Sequence, residues 1–213
     1  MGLCIYQQED QFSNYNYYFE LKAGQLLLTR ICLSDAENYA KYLNNQKVIR
    51  RYSNSLRLPF TIENAINYIN SKIRNYLDYS FSIKLESNPK ETIGEINLSL
   101  RDYYSKKYWI GYWLGEPFWG KHIMTEAIKA ILKFAFDHLK VEIIESGVFS
   151  GNPASVALLK KFKFRLTNKT LQSDFIAETK EVVDNEFYEL KKEEYFEDLK
   201  KVEISKDEKE SKA

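Results

Sequence analysis

The stretch "KYWIGYWLGEPFWGKHIMTEAIKAILKFAFDHLKVEIIESGVFS", residues 107–150, decides the fold. Its first eight residues are almost continuously apolar, the reading expected of a strand covered on both faces. Glu116 and Pro117 mark a turn. Met124, Ala127, Ile128, Ile131, Leu132, Ala135 and Leu139 then recur at three- and four-residue steps, which predicts a helix with one broad buried face. Residues 141–150 read as a strand again. A strand, a helix and a strand in that order make a crossover, and a glycine, a lysine and a histidine stand at the mouth of its helix.

That mouth has a chemistry of its own. A helix N-terminus exposes unpaired N–H groups and a partial positive charge. A preceding glycine lets the backbone approach a ligand, so that Gly120, Lys121 and the following amides suit phosphate oxygens. The stretch is neither a dinucleotide fingerprint with three spaced glycines nor a P-loop. A plain turn followed by a solvated basic face accounts for the same residues equally well.

Outward from the crossover, the chain alternates short elements. "QLLLTRIC" (25–32) reads as a strand, and Ser34 with Glu37 has the form of a capping box that starts a helix running to about Asn44. Thr61 caps a second helix with an apolar stripe of Ile62, Ala65, Ile66, Ile69, Ile73 and Leu77. Strands follow at 79–85, 92–100 and 107–114, with a turn at Ser87–Lys90 between the first two. After the crossover come a helix at 152–162, with Pro153 in its first turn, and two closing strands. The predicted order is β-α-α-β-β-β-α-β-α-β-β, an α+β fold in one layered domain over residues 25–190. Residues 1–24 read as an extended lead-in and 191–213 as a charged tail, disordered from about Lys206.

Composition narrows the function. The 213 residues carry a formal net charge of +1, without the basic excess of a nucleic-acid-coating protein. Two cysteines, Cys4 and Cys32, are too few for a disulfide framework and favour a reducing, cytoplasmic setting. Cys32 lies in an apolar run and reads as core. No run approaches the ~20 apolar residues of a membrane span, and without a basic segment followed by an apolar run at its start the expectation is a protein that is not secreted. "MGLCIY" has the Gly2 of an acylation signal but Tyr6 where Ser or Thr is usual. His122 and His138 are the only histidines, so a metal site is not expected.

Three motifs together, G-Y-W-L at 111–114, W-G-K-x-x-x-T-E-A at 119–127 and N-x-x-S-x-x-L-L at 152–159, resemble the core of the GNAT superfamily of N-acetyltransferases, with the RimJ/RimL type as the nearest branch. The resemblance covers roughly residues 25–168 and implies a mixed, mostly antiparallel sheet flanked by helices. In such a fold splayed strands hold acetyl-CoA, and CoA is the product. It implies a pyrophosphate on Trp119, Gly120, Lys121, His122, Ile123, Met124 and Thr125, with a backbone N–H near Leu114 for the oxyanion. It also implies that Asn152 binds the cofactor and that Ser155 helps protonate the leaving thiolate. Leu159 stands where many members have a tyrosine, so Ser155 is the only matched acid.

The chain departs from the pattern at three places. His122 replaces a second glycine, and a Cβ there calls for an ordinary backbone conformation. Lys163 replaces a glycine that serves a helix C-cap, where left-handed geometry costs lysine about 1 kcal/mol. Trp109 stands where the branch often has a glutamate base. Glu95 on the neighbouring strand is the best substitute, facing either cleft or solvent, and Asp102 and Glu116 are weaker candidates. Trp109, Tyr112 and Trp113 line a cleft or belong to the core. Arg50, Arg51 and Tyr52 fall near the substrate side, where they form a solvated turn or suit a carboxylate-bearing acceptor.

An absent base favours particular acceptors. An α-amine with pKa about 8 is roughly one-tenth neutral at pH 7, whereas a lysine near 10.4 is neutral about once in a few thousand. The expectation is therefore direct attack by a primary amine, an α-amine above all, in a monomer or homodimer without nucleic-acid or membrane partners. A catalytically silent CoA-binding domain and a small-molecule, antibiotic-type acetyltransferase are the alternatives.

Overall fold

The computed structural model describes residues 3–7, 17–75 and 77–197. Nine strands form one sheet in the order β1-β2-β3-β4-β5-β6-β7-β9-β8. They are β1 (Leu3–Gln7), β2 (Tyr17–Ala23), β3 (Leu26–Arg30), β4 (Tyr79–Leu85), β5 (Asn88–Asp102), β6 (Lys107–Leu114), β7 (Ile143–Phe149), β8 (Arg165–Ile176) and β9 (Glu181–Lys191). Every pairing is antiparallel except β6 with β7, which the crossover helix α4 (Ile123–Lys133) joins in parallel. The first 24 residues add two strands, with β2 pairing along β3. Gly2 lies outside the described residues, as does the chain beyond 197.

Side-chain alternation sorts the core into two layers. Phe81 and Ile83 of β4, Ile96 and Leu98 of β5 and Ile110 of β6 cluster with Ala127, Ile128 and Ile131 of α4. A second cluster joins α1 (Ala36–Leu43), α2 (Gln46–Tyr52) and α3 (Ile62–Arg74) around Tyr39, Leu43, Ile69 and Trp113. Tyr39 meets the Trp113 ring edge-on at 5.1 Å. Tyr195 packs on Phe136, so the start of the charged tail adds aromatic surface to the first layer.

Several local expectations shift. The capping box lies two residues earlier than Ser34 and Glu37: Asp35 Oδ2 accepts from Cys32 N–H at 3.1 Å, and a 3₁₀ turn (Leu33–Asp35) precedes α1. The reason is that the Asp35 carboxylate is committed inward, accepting from Ser82 Oγ (2.6 Å) and Thr92 Oγ1 (2.7 Å) and pairing with Lys84 Nζ (3.0 Å). Cys32 follows the strand, half-buried, instead of lying in it. An additional helix, α2, carries Arg50, Arg51 and Tyr52. The turn before β5 is Glu86–Ser87, so the strand already begins at Asn88. On α3, Thr61 caps as expected, but only Ala65 and Ile69 of the stripe are buried; Ile62, Ile66, Ile73 and Leu77 are exposed.

Helix α5 (Pro153–Lys161) ends in a Schellman motif. Phe164 N–H donates to Leu159 C=O (3.0 Å) and Lys163 N–H to Lys160 C=O (3.0 Å), with Leu159 and Phe164 buried together. Lys163 takes the left-handed conformation, φ 64°, that the motif requires.

Burial alone would raise the Asp35 carboxyl, but the hydrogen bonds from Ser82 and Thr92 and the Lys84 charge outweigh it and hold its pKa below the usual carboxylate range. A depressed folded-state pKa contributes stability above the unfolded value of about 3.9, and that stability is lost as pH falls through the folded one. Asp35→Asn is therefore expected to lose about 3 kcal/mol at neutral pH. In thermal melts its deficit against wild type should shrink below about pH 4.

Candidate active site

Strands β6 and β7 stay paired only from Lys107↔Ile143 to Trp109↔Glu145. Two contacts mark where they part. Ser146 Oγ donates to Ile110 C=O at 3.1 Å, and the Trp109 ring lies so close to Gly147 that a Cβ there would come within 2.8 Å of it. Gly115 N–H bonds back to Ile93 C=O of β5, so by strand alternation the backbone groups of Ile110, Tyr112 and Leu114 face away from β5. Ser146 takes the Ile110 carbonyl, and Trp119 Nε1 takes the Leu114 carbonyl at 2.7 Å. The Leu114 N–H and the peptide groups of Tyr112 are left facing the gap.

The gap leads to the mouth of α4. Glu126 N–H to His122 C=O is the first bond of the helix, so the amides of Ile123, Met124 and Thr125 have no intrahelical acceptor, and no side chain caps them. Gly120 (φ 73°) and His122 (φ 59°) are both left-handed. The structure thus departs from the ordinary conformation expected at His122: the chain keeps the glycine-like bend with a histidine in it. The imidazole points outward as an exposed side chain. Lys121 Nζ lies 5.7 Å above the Phe118 ring and the Arg51 guanidinium 4.5 Å above that of Trp119.

These residues wall a cavity of ≈ 260 Å³ that reaches from Trp119–Thr125 past Leu114 to Asn152 and Ser155. Asn152 caps α5, its Oδ1 accepting from Ser155 N–H at 3.3 Å. Ser155 Oγ and Tyr112 Oη share a hydrogen bond of 2.7 Å. Burial pushes the Tyr112 hydroxyl up to about 12, with the bond to Ser155 offsetting part of the rise.

A second, more polar cleft of ≈ 550 Å³ opens beside it, and Arg51, Tyr52, Tyr112, Asn152 and Ser155 belong to both walls. Glu95 faces neither this cleft nor solvent. It is 0% exposed, under the face of β5 that α1 covers. Its carboxylate accepts from Tyr68 Oη (2.9 Å), Asn97 Nδ2 (3.2 Å) and Trp113 Nε1 (3.3 Å). Tyr68 Oη also bonds Tyr52 Oη at 2.6 Å, so a chain of hydroxyls runs from Glu95 to the junction of the two cavities. Burial, and next the Glu95 charge, push both hydroxyls well above the usual tyrosine range.

The cavity thus brings together Leu114, Trp119–Thr125, Asn152 and Ser155. Asp102 caps an exposed turn at Tyr104 and Ser105, and Glu116 is engaged by Lys47 and Asn45, so neither enters a cavity wall. Trp113 is buried in the core with an edge on the first cavity, whereas Trp109 and Tyr112 line the polar cleft. Sequence reasoning did not reach Tyr68, Lys72, Arg101 or Asn185 of that cleft. Tyr68 and Lys72 sit four apart on α3, a spacing that puts both on one helix face. Among the described residues no group of three or more His, Cys, Asp or Glu is placed to hold a metal, and no helix is long and apolar enough to cross a membrane.

Comparison with known proteins bears on this geometry. A family model described as "Acetyltransferase (GNAT) domain" matches residues 25–165. An uncharacterized N-acetyltransferase, p20 of Bacillus licheniformis, is 28% identical over 179 residues, 82% of this chain and 97% of that protein. The probable N-acetyltransferase YjcK of Bacillus subtilis is 35% identical over 152 residues, 68% of this chain and 82% of its own. The solved structure of Mycobacterium smegmatis RimJ in complex with CoA-disulfide superposes with a TM-score of 0.70 at 18% identity, covering 82% of this chain and 87% of that one.

Because the His122 side chain is exposed, its replacement chiefly reports backbone strain. His122→Gly should stabilise the ligand-free protein by about 1 kcal/mol, the cost of a left-handed non-glycine residue. That is a rise of roughly 2–4 °C in melting temperature for a chain of this size. An unchanged or lower melting temperature would mean that the bend is relaxed as it stands.

Proposed function

The chain belongs to the GNAT acetyltransferase family, and from that premise we propose that it acetylates an α-amine at a protein or peptide N-terminus, in the manner of the RimJ/RimL branch. It is an acyltransferase whose donor is acetyl-CoA, and residues 25–190 are its catalytic domain in this reading. The observation that carries it is the parting of β6 from β7 over a cavity that ends at the uncapped N-terminus of α4.

The residues present fit the donor. Left-handed Gly120 and the unpaired amides of Ile123–Thr125 form an anion cradle without an acidic side chain in its cavity wall. Trp119–Thr125 would hold the pyrophosphate, and the open backbone edge of Tyr112 and Leu114 would hold the arm that follows it. Bound there, acetyl-CoA supplies an acetyl group activated as a thioester.

The chain's own groups then have separate tasks. The Leu114 N–H is placed to receive negative charge developing on the acetyl oxygen. Ser155 Oγ, backed by Tyr112 Oη, holds a proton for the departing sulfur. Tyr52 Oη stands at the junction of the two cavities, and with Tyr68 donating to Glu95 it can take a proton from the attacking amine as it passes its own inward. Glu95 is in this reading the remote end of the path and never touches the amine. Desolvation of the amine between Tyr52, Tyr112 and Ser155 supplies the rest.

Calorimetric titration tests the premise: acetyl-CoA should bind with micromolar affinity. S-acetylpantetheine, which keeps the thioester and lacks the pyrophosphate, should bind at least about 100-fold more weakly. Equal affinities, or no binding of either, would remove the cradle and leave a silent domain.

Given binding, Ser155→Ala and Tyr112→Phe should each lower kcat by roughly ten- to a hundredfold. The Tyr112 pKa of about 12 lies above the usual tyrosine value, so its proton stays in place well into the alkaline range. The wild-type kcat should therefore show no falling limb between about pH 8 and about pH 10. A limb there, absent from Tyr112→Phe, would show that Tyr112 titrates in solution as an ordinary phenol.

A further inference from the structure

The polar cleft has two unmet demands. Arg51, Lys72 and Arg101 all line it, and among the described residues none has a carboxylate within ion-pair distance or a hydrogen-bond acceptor. Each instead lies over an aromatic ring: Lys72 over Tyr68 at 5.5 Å and Arg101 over Trp109 at 4.8 Å on the cleft wall, and Arg51 over Trp119 of the adjoining cavity at 4.5 Å. A cation held face-down on a ring keeps its position while its N–H groups remain unspent. The neighbouring Arg50 differs, with its guanidinium bound to Glu181.

The second demand has the opposite sense. Asn185 is only 9% exposed and lines the same cleft, and its Oδ1 has no hydrogen-bond partner. Its Nδ2 is fixed by Asp174 Oδ2 at 3.2 Å, so the oxygen is held just behind the cleft wall with its acceptor capacity unmet. Among the described residues Asp174 is the only acidic side chain on the cleft wall, and it is occupied by Asn185, Asn54 and Ser173.

A ligand that meets both demands has N–H groups at one place and negative charge at another. Resting on the acetyltransferase reading, we infer that the acceptor is the N-terminus of an acidic peptide segment. Its amine lies at Tyr52 and Ser155, a peptide N–H reaches Asn185, and the carboxylates of its next residues reach Lys72 and Arg101. A cleft of ≈ 550 Å³ is roomy for several residues. A polyamine is excluded on the same grounds, since it would set cations against cations.

The test uses the full-length chain, acetyl-CoA and three peptides that share an N-terminal serine followed by acidic, neutral or basic residues, with free glutamate and spermidine alongside. The acidic peptide should exceed the neutral one about tenfold in kcat/KM and the basic one by more, the difference lying in KM. Raising salt from about 0.05 to about 0.5 M should narrow the gap. Lys72→Glu and Arg101→Glu should each reverse the acidic preference, and neither residue borders the acetyl-CoA cavity, so the affinity for acetyl-CoA should hold.

Transfer to all peptides alike, or best to the basic peptide or spermidine, would overturn the inference while leaving the acetyltransferase standing. Transfer to glutamate alone would overturn it in favour of a small anionic amine. Absence of both acetyl-CoA binding and CoA release would sink the underlying reading itself, and this assignment with it.

Discussion

The working part of the molecule depends on a single departure from strand pairing. A parallel pair joined by a helix tends to zip along its whole length, because each unpaired peptide group facing a dry interior costs free energy. Here the Trp109 ring against Gly147 occupies the space where the strands would close, and Ser146 Oγ satisfies the carbonyl stranded at Ile110. Trp119 Nε1 does the same for Leu114. In the proposed reading the exposed edge that remains is the template for the extended arm of the donor, and the bare amides of the helix beyond it meet that arm's charge.

Trp109 thereby takes on two structural jobs. It lies against Gly147 where the strands part and its face carries Arg101, so one ring links the gap between β6 and β7 with the polar cleft. In the proposed reading the proton path starts from a different strand, at Glu95 of β5. Glu95 sits one residue from Gly94 on β5, meets the cleft wall through Tyr68 and Asn97, and has its carboxylate among three donors. A carboxylate so buried needs those donors in any case, and two of them are aromatic side chains that also build the core under α1 and α3.

Much of this was legible in the chain. The crossover, the strands at 79–85 and 107–114 and the cap at Thr61 follow from periodicity and from local side-chain to backbone bonds, which are properties of short segments. What failed was what depends on distant partners. The Ser34–Glu37 box has the right spacing, yet Asp35 wins because Ser82, Thr92 and Lys84 await it across the sheet. The α3 stripe has the right period, but only Ala65 and Ile69 are buried, in the cluster shared with α1 and α2. The cavity residues came from motifs; the polar cleft is assembled from residues spread between Arg51 and Asn185, on helices α2, α3 and α5 and strands β5 to β9, so no local pattern announces it.

The charge of that cleft bears on the chemistry as well as on recognition. An ammonium cannot attack a thioester, and an amine among Arg51, Lys72 and Arg101 has its pKa lowered by like charge and by partial desolvation together. In the proposed reading the cations that would draw in carboxylates therefore also raise the neutral fraction of the amine beside them. The two effects reinforce each other only if the acceptor's negative groups sit away from its nitrogen, because a carboxylate next to the amine would restore the lost charge balance. An α-amine begins about two units below a lysine, so a modest depression makes it largely neutral at physiological pH. With the amine already neutral, the proton to be removed is the one released during attack, and a weakly basic hydroxyl chain ending on a buried carboxylate is enough to take it.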